Sequence, residues 1–296
     1  MGRPLVKQLS YDSSNLLNLL IHKNTANREI ENFNSFTGSL INIDRNWFNK
    51  YPPDVIFHLA RSAGSNYLTR QLYARMGKFA NYRLVKRLAS LGKPPIVVYV
   101  SGSLMYGNRS IDSPATEDSL LSPESYARYY FHTEQPWIEA QRKRILDIRF
   151  ARPGWIVGPS SWFLKFFWLP FLNNGKIPCY GDGNQYMSIV HLSDFARLTE
   201  SLYLKGDLYQ NLNIYSCPPI MQMEFSGTLA EIMGAGVEYV SYGQTCNKYG
   251  YTTARALTSS IPMQTNYRHI HDNSGIQFKS VREILVNITG ILEHKE

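Results

Sequence analysis

Two phenols and an imidazole, Tyr126, Tyr130 and His132, fall within two helical turns of one another and are candidate proton donors. A phenol titrates near about 10 unless a cation stands beside it, so Tyr126 is a poor base at neutral pH with Tyr130 four residues on. His132 has the chemistry of a substitute proton carrier, although an exposed helical histidine is the simpler reading. Other mechanisms find less support. No Ser-His-Asp order surrounds a nucleophile elbow, and neither HExxH nor a phosphate-binding GxxxxGK(S/T) occurs. The three cysteines, Cys179, Cys217 and Cys246, are widely spaced with no CxxC, which suggests neither a disulfide framework nor a zinc site and fits a reducing cytoplasm. The aromatic stretch from Ser161 to Leu172 reads first as buried packing, and after that as a lining for an apolar ligand, a dimer contact or a membrane interface.

Such groups need a scaffold, and 296 residues with 44% hydrophobic and 18% charged content provide for a large core. Short apolar runs alternate with segments of helical period, as in β/α units around a parallel sheet. Asp54–Ala60 and Ile96–Val100 are the clearest strands. Between them Gly77–Leu91 reads as a helix with Phe79, Leu84, Val85 and Leu88 near one face. Ile145–Phe150 and Ser188–His191 read as later strands, Pro218–Gly234 and Ser280–Leu292 as later helices. The net charge of +8 is spread along the chain, and its densest runs, Arg83–Arg87 and Arg142–Arg144, read as solvated helix faces rather than a nucleic-acid or membrane surface. No secretory signal or membrane-spanning segment is evident.

Several segments in shared order resemble the extended short-chain dehydrogenase/reductase family, the NAD-dependent epimerase/dehydratase group that acts mostly on nucleotide sugars. Asp54-Val-Ile-Phe-His-Leu-Ala60 is similar to its fourth strand, and Val98-Tyr-Val-Ser-Gly-Ser-Leu-Met-Tyr-Gly107 to its fifth strand and active-site serine loop. Asn81 matches the asparagine opening the helix between them. Tyr126 follows Ser122-Pro123 as the catalytic tyrosine does, with Glu134 further along the helix. Arg152-Pro-Gly-Trp-Ile-Val-Gly-Pro159 resembles the entrance to the substrate region, and Gly181-Asp-Gly183 with Ser188–Ala196 the return to the core.

The resemblance implies a Rossmann-like doubly wound α/β fold: a dinucleotide-binding type of core over 1–155, and over 156–296 a substrate lobe interleaved with returning core strands and a closing helix. It implies NAD or NADP against Gly2, His58, Leu59, Ala60, Asn81, Pro153 and Gly154. A nucleotide-sugar-like substrate would meet Arg152, Trp155, Ser161 and Trp162. His58 and His191, inside matching strands, read as packing residues before metal ligands, while His22, His269 and His271 are scattered. A homodimer is implied through the tyrosine-bearing helix, with Tyr129, Phe131 and Trp137 as apolar surface.

Three positions depart from the family pattern. Gly2–Leu9 resembles the first helix with Gly2 as the last glycine of the phosphate turn, so the first strand and earlier glycines would precede Met1. Leu16–Ile21 would be the second strand, and Gly38-Ser39-Leu40 stands where the family has a glycine and an adenine-binding aspartate. Gly102 occupies the serine position, with Ser101 and Ser103 beside it, and Tyr130 the position of the lysine whose charge lowers the tyrosine pKa. Three readings follow: an epimerase/dehydratase with impaired redox chemistry, a silent homologue used for binding or dimerisation, and a cofactor-independent isomerase or cyclase using Tyr126, Tyr130 and His132.

Overall fold

The computed structural model describes residues 1–21, 33–43, 45–60 and 67–294; His22 lies outside them. Helix α1 (Gly2–Leu9) leads to β1 (Asn18–Ile21), β2 (Asn34–Thr37) and α2 (Arg45–Lys50). Then come β3 (Val55–His58), α3 (Tyr67–Ala89), β4 (Ile96–Val100), α4 (Arg128–Arg142) and β5 (Ile148–Pro153). β6 (Trp155–Val157), a π-helical turn over Leu164–Trp168, α5 (Leu169–Asn174), β7 (Lys176–Tyr180), β8 (Tyr186–Met187) and β9 (Ile189–His191) open the second half. It continues through α6 (Leu192–Lys205), β10 (Asn211–Ile214), β11 (Ile220–Met221), α7 (Gln222–Met233) and β12 (Gly236–Val240). The chain closes with α8 (Tyr242–Tyr249), α9 (Tyr251–Leu257), α10 (Arg268–Asp272) and α11 (Val281–Glu293).

β10, β5, β4 and β3 lie side by side in that order, all parallel, and form the α/β core expected. The run Ile96-Val-Val-Tyr-Val100 explains β4: its β-branched side chains suit a strand covered on both faces, and Val97 to Val100 are all buried. β1 and β2 form a separate parallel pair. The usual order of this fold sets one strand between the second and fourth, and among the described residues no ladder joins β1 to β3.

One cluster, with Leu84, Val85, Leu88, Tyr99, Trp137 and Phe150, packs α3 and α4 on the sheet. Another, with Val98, Ala151, Phe195, Leu198 and Ile214, packs α6 on it. A third joins Phe163, Phe167 and Trp168 to Phe225, Leu229, Ile284 and Ile288, so the aromatic stretch is largely core, as its composition suggests. Arg149 donates to the carbonyls of Leu202, Tyr203 and Gly206, satisfying the C-terminal end of α6 where a cation is favoured.

Several expectations shift. Helix α3 starts ten residues before Gly77, so Asn81 sits inside it rather than opening it. A helical glycine costs about 1 kcal/mol yet is tolerated, which is why it misleads as a boundary. Phe79 is 56% exposed instead of joining Leu84, Val85 and Leu88 in the core. The strand expected at 145 begins at Ile148, because Arg144, at φ 54°, and the Ile145 N–H bonded to the Ala140 carbonyl still belong to the end of α4. Trp137 is fully buried and Tyr129 nearly so, which removes them as free apolar surface. No described helix is long and apolar enough to cross a membrane.

Candidate active-site cleft

A cleft of about 330 Å³ opens beyond the C-terminal ends of β4 and β5, where open α/β sheets place their ligands. Ser101, Gly102 and Ser103 line it from the loop after β4. Pro153, Gly154 and Trp155 line it from the end of β5, Ser161 and Trp162 from the following segment, and Met1 from the start of α1. Gly154 is needed for the approach itself: a Cβ there would stand 2.1 Å from the Ser188 carbonyl oxygen, where β6 runs beside β9. Trp155 and Trp162 meet edge to face at 4.7 Å, and the Ser161 hydroxyl accepts the Gly158 and Phe163 N–H groups, fixing the turn that presents Trp162.

Two hydroxyls flank Gly102, and they differ in freedom. Ser101 is buried and donates to the buried Glu134 carboxylate at 2.7 Å, tying the loop to α4. Ser103 engages no hydrogen-bond partner among the described residues and reaches the cleft wall. Any hydroxyl-orienting role therefore falls to Ser103.

Tyr126 does not line the cleft. It sits in the 3-10 turn Ser125–Ala127 before α4, packed with Met105 and Ala127, its hydroxyl 2.5 Å from the Ser259 Oγ. Ser259 donates its own proton to the Arg255 carbonyl, so in this pair the phenol is the donor. Burial raises the Tyr126 pKa above its ordinary value. The Tyr130 ring lies 4.0 Å from that of Tyr129, tilted by 39°, beside this cluster, and His132 is exposed. Neither reaches the cleft lining.

The residues matched to cofactor binding separate into two sets. Pro153 and Gly154 line the cleft, and Gly2 opens α1 next to Met1, whose side chain makes no cap hydrogen bond. His58 is buried, stacked 4.8 Å from Tyr99, and donates through Nε2 to Asn81 Oδ1, while Asn81 donates to the Thr133 carbonyl. That bridge joins β3, α3 and α4 and is packing chemistry. Leu59 is half-buried against the α6-side cluster and Ala60 is exposed just beyond β3. His191 bonds Ser193 and Asn287 at the start of α6, again a structural role.

Arg152 lies apart from the cleft lining, in a buried polar network that sequence reasoning missed. Its guanidinium stands 5.2 Å over the Tyr106 ring and donates to the Tyr106 hydroxyl, which in turn donates to Asn213 Oδ1. Asn213 N–H donates to the buried Glu117 carboxylate, which also accepts from the Thr265 hydroxyl and Asn266 N–H. Buried charges are retained in such a setting because each is hydrogen-bonded. The available signal was polar residues alternating inside a strand, Asn211 and Asn213 of β10.

His271 completes the network, donating through Nε2 to the Asn213 carbonyl. Burial lowers its pKa below the ordinary histidine value, so the folded protein holds it neutral where the unfolded chain has begun to bind a proton. Below about pH 6.5 the unfolded state binds more protons, and stability falls as pH drops toward the lowered value. Urea unfolding of the protein at pH 7.5 and 5.5 should show this acid-side loss, and His271→Gln should flatten it; an unchanged pH slope would reject the assignment.

The profile of the NAD dependent epimerase/dehydratase family matches residues 1–214. Epimerase family protein YfhF of Bacillus subtilis is 29% identical over 145 residues, 47% of this chain and 45% of that protein, so the match spans less than half of the relative's own length. Among solved structures, UDP-glucuronic acid 4-epimerase from Bacillus cereus, in complex with UDP-glucuronic acid and NAD, superposes with TM-score 0.78 at 16% identity over 100% of this chain and 96% of its own. The human epimerase family protein SDR39U1 with NADPH gives 0.76 at 17% identity over 98% and 95%. With the parallel sheet, the cleft at its carboxyl ends and the match over most of its length, the chain belongs to the NAD dependent epimerase/dehydratase family, with the extended short-chain dehydrogenase/reductase fold.

Proposed function

We propose that the protein binds NAD or NADP and a nucleotide-linked sugar in the cleft above β4 and β5 and performs the hydride chemistry of an epimerase or dehydratase slowly. The observation that carries this is the state of Tyr126: a buried phenol, pKa raised, donating to Ser259, with Tyr130 in place of a cation one turn on. The ligands of the structural neighbours, NAD, NADPH and UDP-glucuronic acid, support the substrate and cofactor class.

The residues fit a bound dinucleotide better than its use. Gly2 opens α1 beside the cleft with nothing within 4 Å of a Cβ built there and no side chain capping the first turn, and uncapped N–H groups suit a pyrophosphate. Pro153 and Gly154 would bound the nicotinamide end, with Trp155, Ser161 and Trp162 toward the sugar. When bound, the nicotinamide accepts or returns a hydride at a sugar carbon. Ser103 would orient the sugar hydroxyl. Tyr126 would have to take that hydroxyl's proton, and a phenol already protonated, buried and turned to Ser259 does so poorly.

A silent binding homologue is the second reading, favoured by the paired engagement of Ser101 with Glu134 and Tyr126 with Ser259. The isomerase or cyclase reading draws less support, since Tyr126, Tyr130 and His132 are all outside the cleft lining. Titration with NADH and NADPH by fluorescence, followed by single-turnover assay of UDP-glucuronic acid with NAD⁺ or NADP⁺ as the hydride acceptor, separates the readings. Saturable binding with hydride transfer slower than about 1 s⁻¹, the low end for enzymes, is expected. Absence of binding would overturn the proposal, and binding without any transfer would favour the silent homologue.

A further inference from the structure

The cleft above β4 and β5 is walled by Leu104, Met105, Trp155, Ile156, Trp162 and Leu192, and no aspartate, glutamate, lysine, arginine or histidine stands among its described lining residues. Its backbone has few donors to give. The N–H groups of Ser101, Met105, Gly154, Trp155 and Ser161 are each already bonded to a carbonyl of the protein, at 2.7 to 3.2 Å. The Ser101 hydroxyl is given to Glu134 and that of Ser161 to the Gly158 carbonyl. Ser103 and Ser160 are the lining hydroxyls for which the described residues supply no partner.

We infer that the same cleft accepts a neutral, apolar carbonyl compound, an aldehyde or ketone with an aryl or alkyl body, and that the protein reduces it with NADH or NADPH. This rests on the cofactor half of the function proposed above and extends it to a second substrate class. A hexose carries several hydroxyls, each of which loses affinity when stripped of water and left unpaired, so it must keep most of them toward the open side of this cleft. A compound with one oxygen asks for one donor, which Ser103 provides, while the aromatic and aliphatic walls match its body. An ionised group would be desolvated beside those walls with no counter-charge. Reduction also suits the acid–base groups better than oxidation does. The carbonyl carbon takes a hydride from the reduced nicotinamide, and the C=O π pair moves onto oxygen. That oxygen takes the Ser103 proton, which solvent replaces, so an alcohol and the oxidised nicotinamide form and one solvent proton is consumed. No step removes a proton from the substrate, so a Tyr126 phenol held protonated does not obstruct it.

Benzaldehyde and 4-carboxybenzaldehyde share the reacting group and differ by one carboxylate, so the pair tests the cleft directly. Ligand-observed NMR titration of the full chain, without and with NADPH, should give saturable binding of benzaldehyde and roughly thirtyfold weaker binding of 4-carboxybenzaldehyde. Ser160→Arg, at an exposed position of the lining, should remove that difference by supplying a counter-charge, and unchanged circular dichroism will show that the variant folds. NADH or NADPH consumption should follow benzaldehyde addition and fall at least about tenfold in Ser103→Ala, with benzaldehyde still bound. Equal binding of the two aldehydes, no binding of either, or binding with no consumption of NADH or NADPH would each overturn the inference; in the last case hydride transfer from UDP-glucuronic acid would leave the sugar reading standing. Benzaldehyde reduction without transfer from UDP-glucuronic acid would uphold the inference and remove the sugar reading.

Discussion

Trp137→Ala is expected to lower the unfolding free energy by about 3–5 kcal/mol, the range for removing a large aromatic from a core that cannot collapse. The indole is fully buried on α4, 5.3 Å from the His58 ring and 5.8 Å from Tyr99, among Leu84, Leu88 and Phe150. It therefore fills the space where α3, α4 and the sheet meet. Its Nε1 has no hydrogen-bond partner among the described residues, so the side chain acts through volume alone. Trp137→Phe should accordingly cost only about 1–2 kcal/mol, and Ile145→Ala, at a half-exposed position, about 0.5 or less. Equilibrium urea unfolding measures all three. A cost near that of Ile145→Ala for Trp137→Ala would remove this cluster as the anchor of α4. The effect reaches function as well, since α4 carries Glu134, the partner of Ser101 at the cleft wall.

The elements that could be read from sequence are those whose burial is uniform along the element. β4 is found at the expected residues, and α11 starts at Val281 behind Ser280 and Glu283, which form a capping box that any reading for helix starts would find. Ser188–His191 emerges as β9, yet it pairs with β6 instead of joining the main sheet, because period and composition say nothing of partners. β10 went unread for a different reason. Asn211 and Asn213 break the apolar run, and their cost is recovered through Gln141, Tyr106, Glu117 and Gln264, residues 51 or more positions away. The cleft shows the same division. Ser101, Ser103, Pro153, Gly154, Trp155, Ser161 and Trp162 come together as their motifs imply, since each sits at a strand end or a turn that follows one. Arg152 is drawn away by Tyr106, and the Tyr126 hydroxyl by Ser259, a residue no local pattern connects to it.

That last contact sets the second large effect, a gain of activity on combining Tyr130→Lys with Ser259→Ala. Lysine at 130 stands one helical turn from Tyr126, and a cation at that range lowers a neighbouring phenol's pKa by about 1–3 units. Alone it should do little, because Ser259 still accepts the phenol proton and holds the hydroxyl. Ser259→Ala alone leaves a buried phenol with nothing to stabilise its anion. Together they free the oxygen and favour its charged form, so the two substitutions should couple strongly rather than add. A positioned acid or base contributes about 10²–10⁴-fold, and recovery of even part of that range corresponds to a rise of roughly 10–100-fold in single-turnover hydride transfer from UDP-glucuronic acid to NAD or NADP. The pH of half-maximal rate should move downward as the phenol pKa falls. Adding Tyr126→Phe to the double variant should erase the gain while leaving cofactor binding intact; a gain that survives it would show that the proton passes through a group other than this tyrosine.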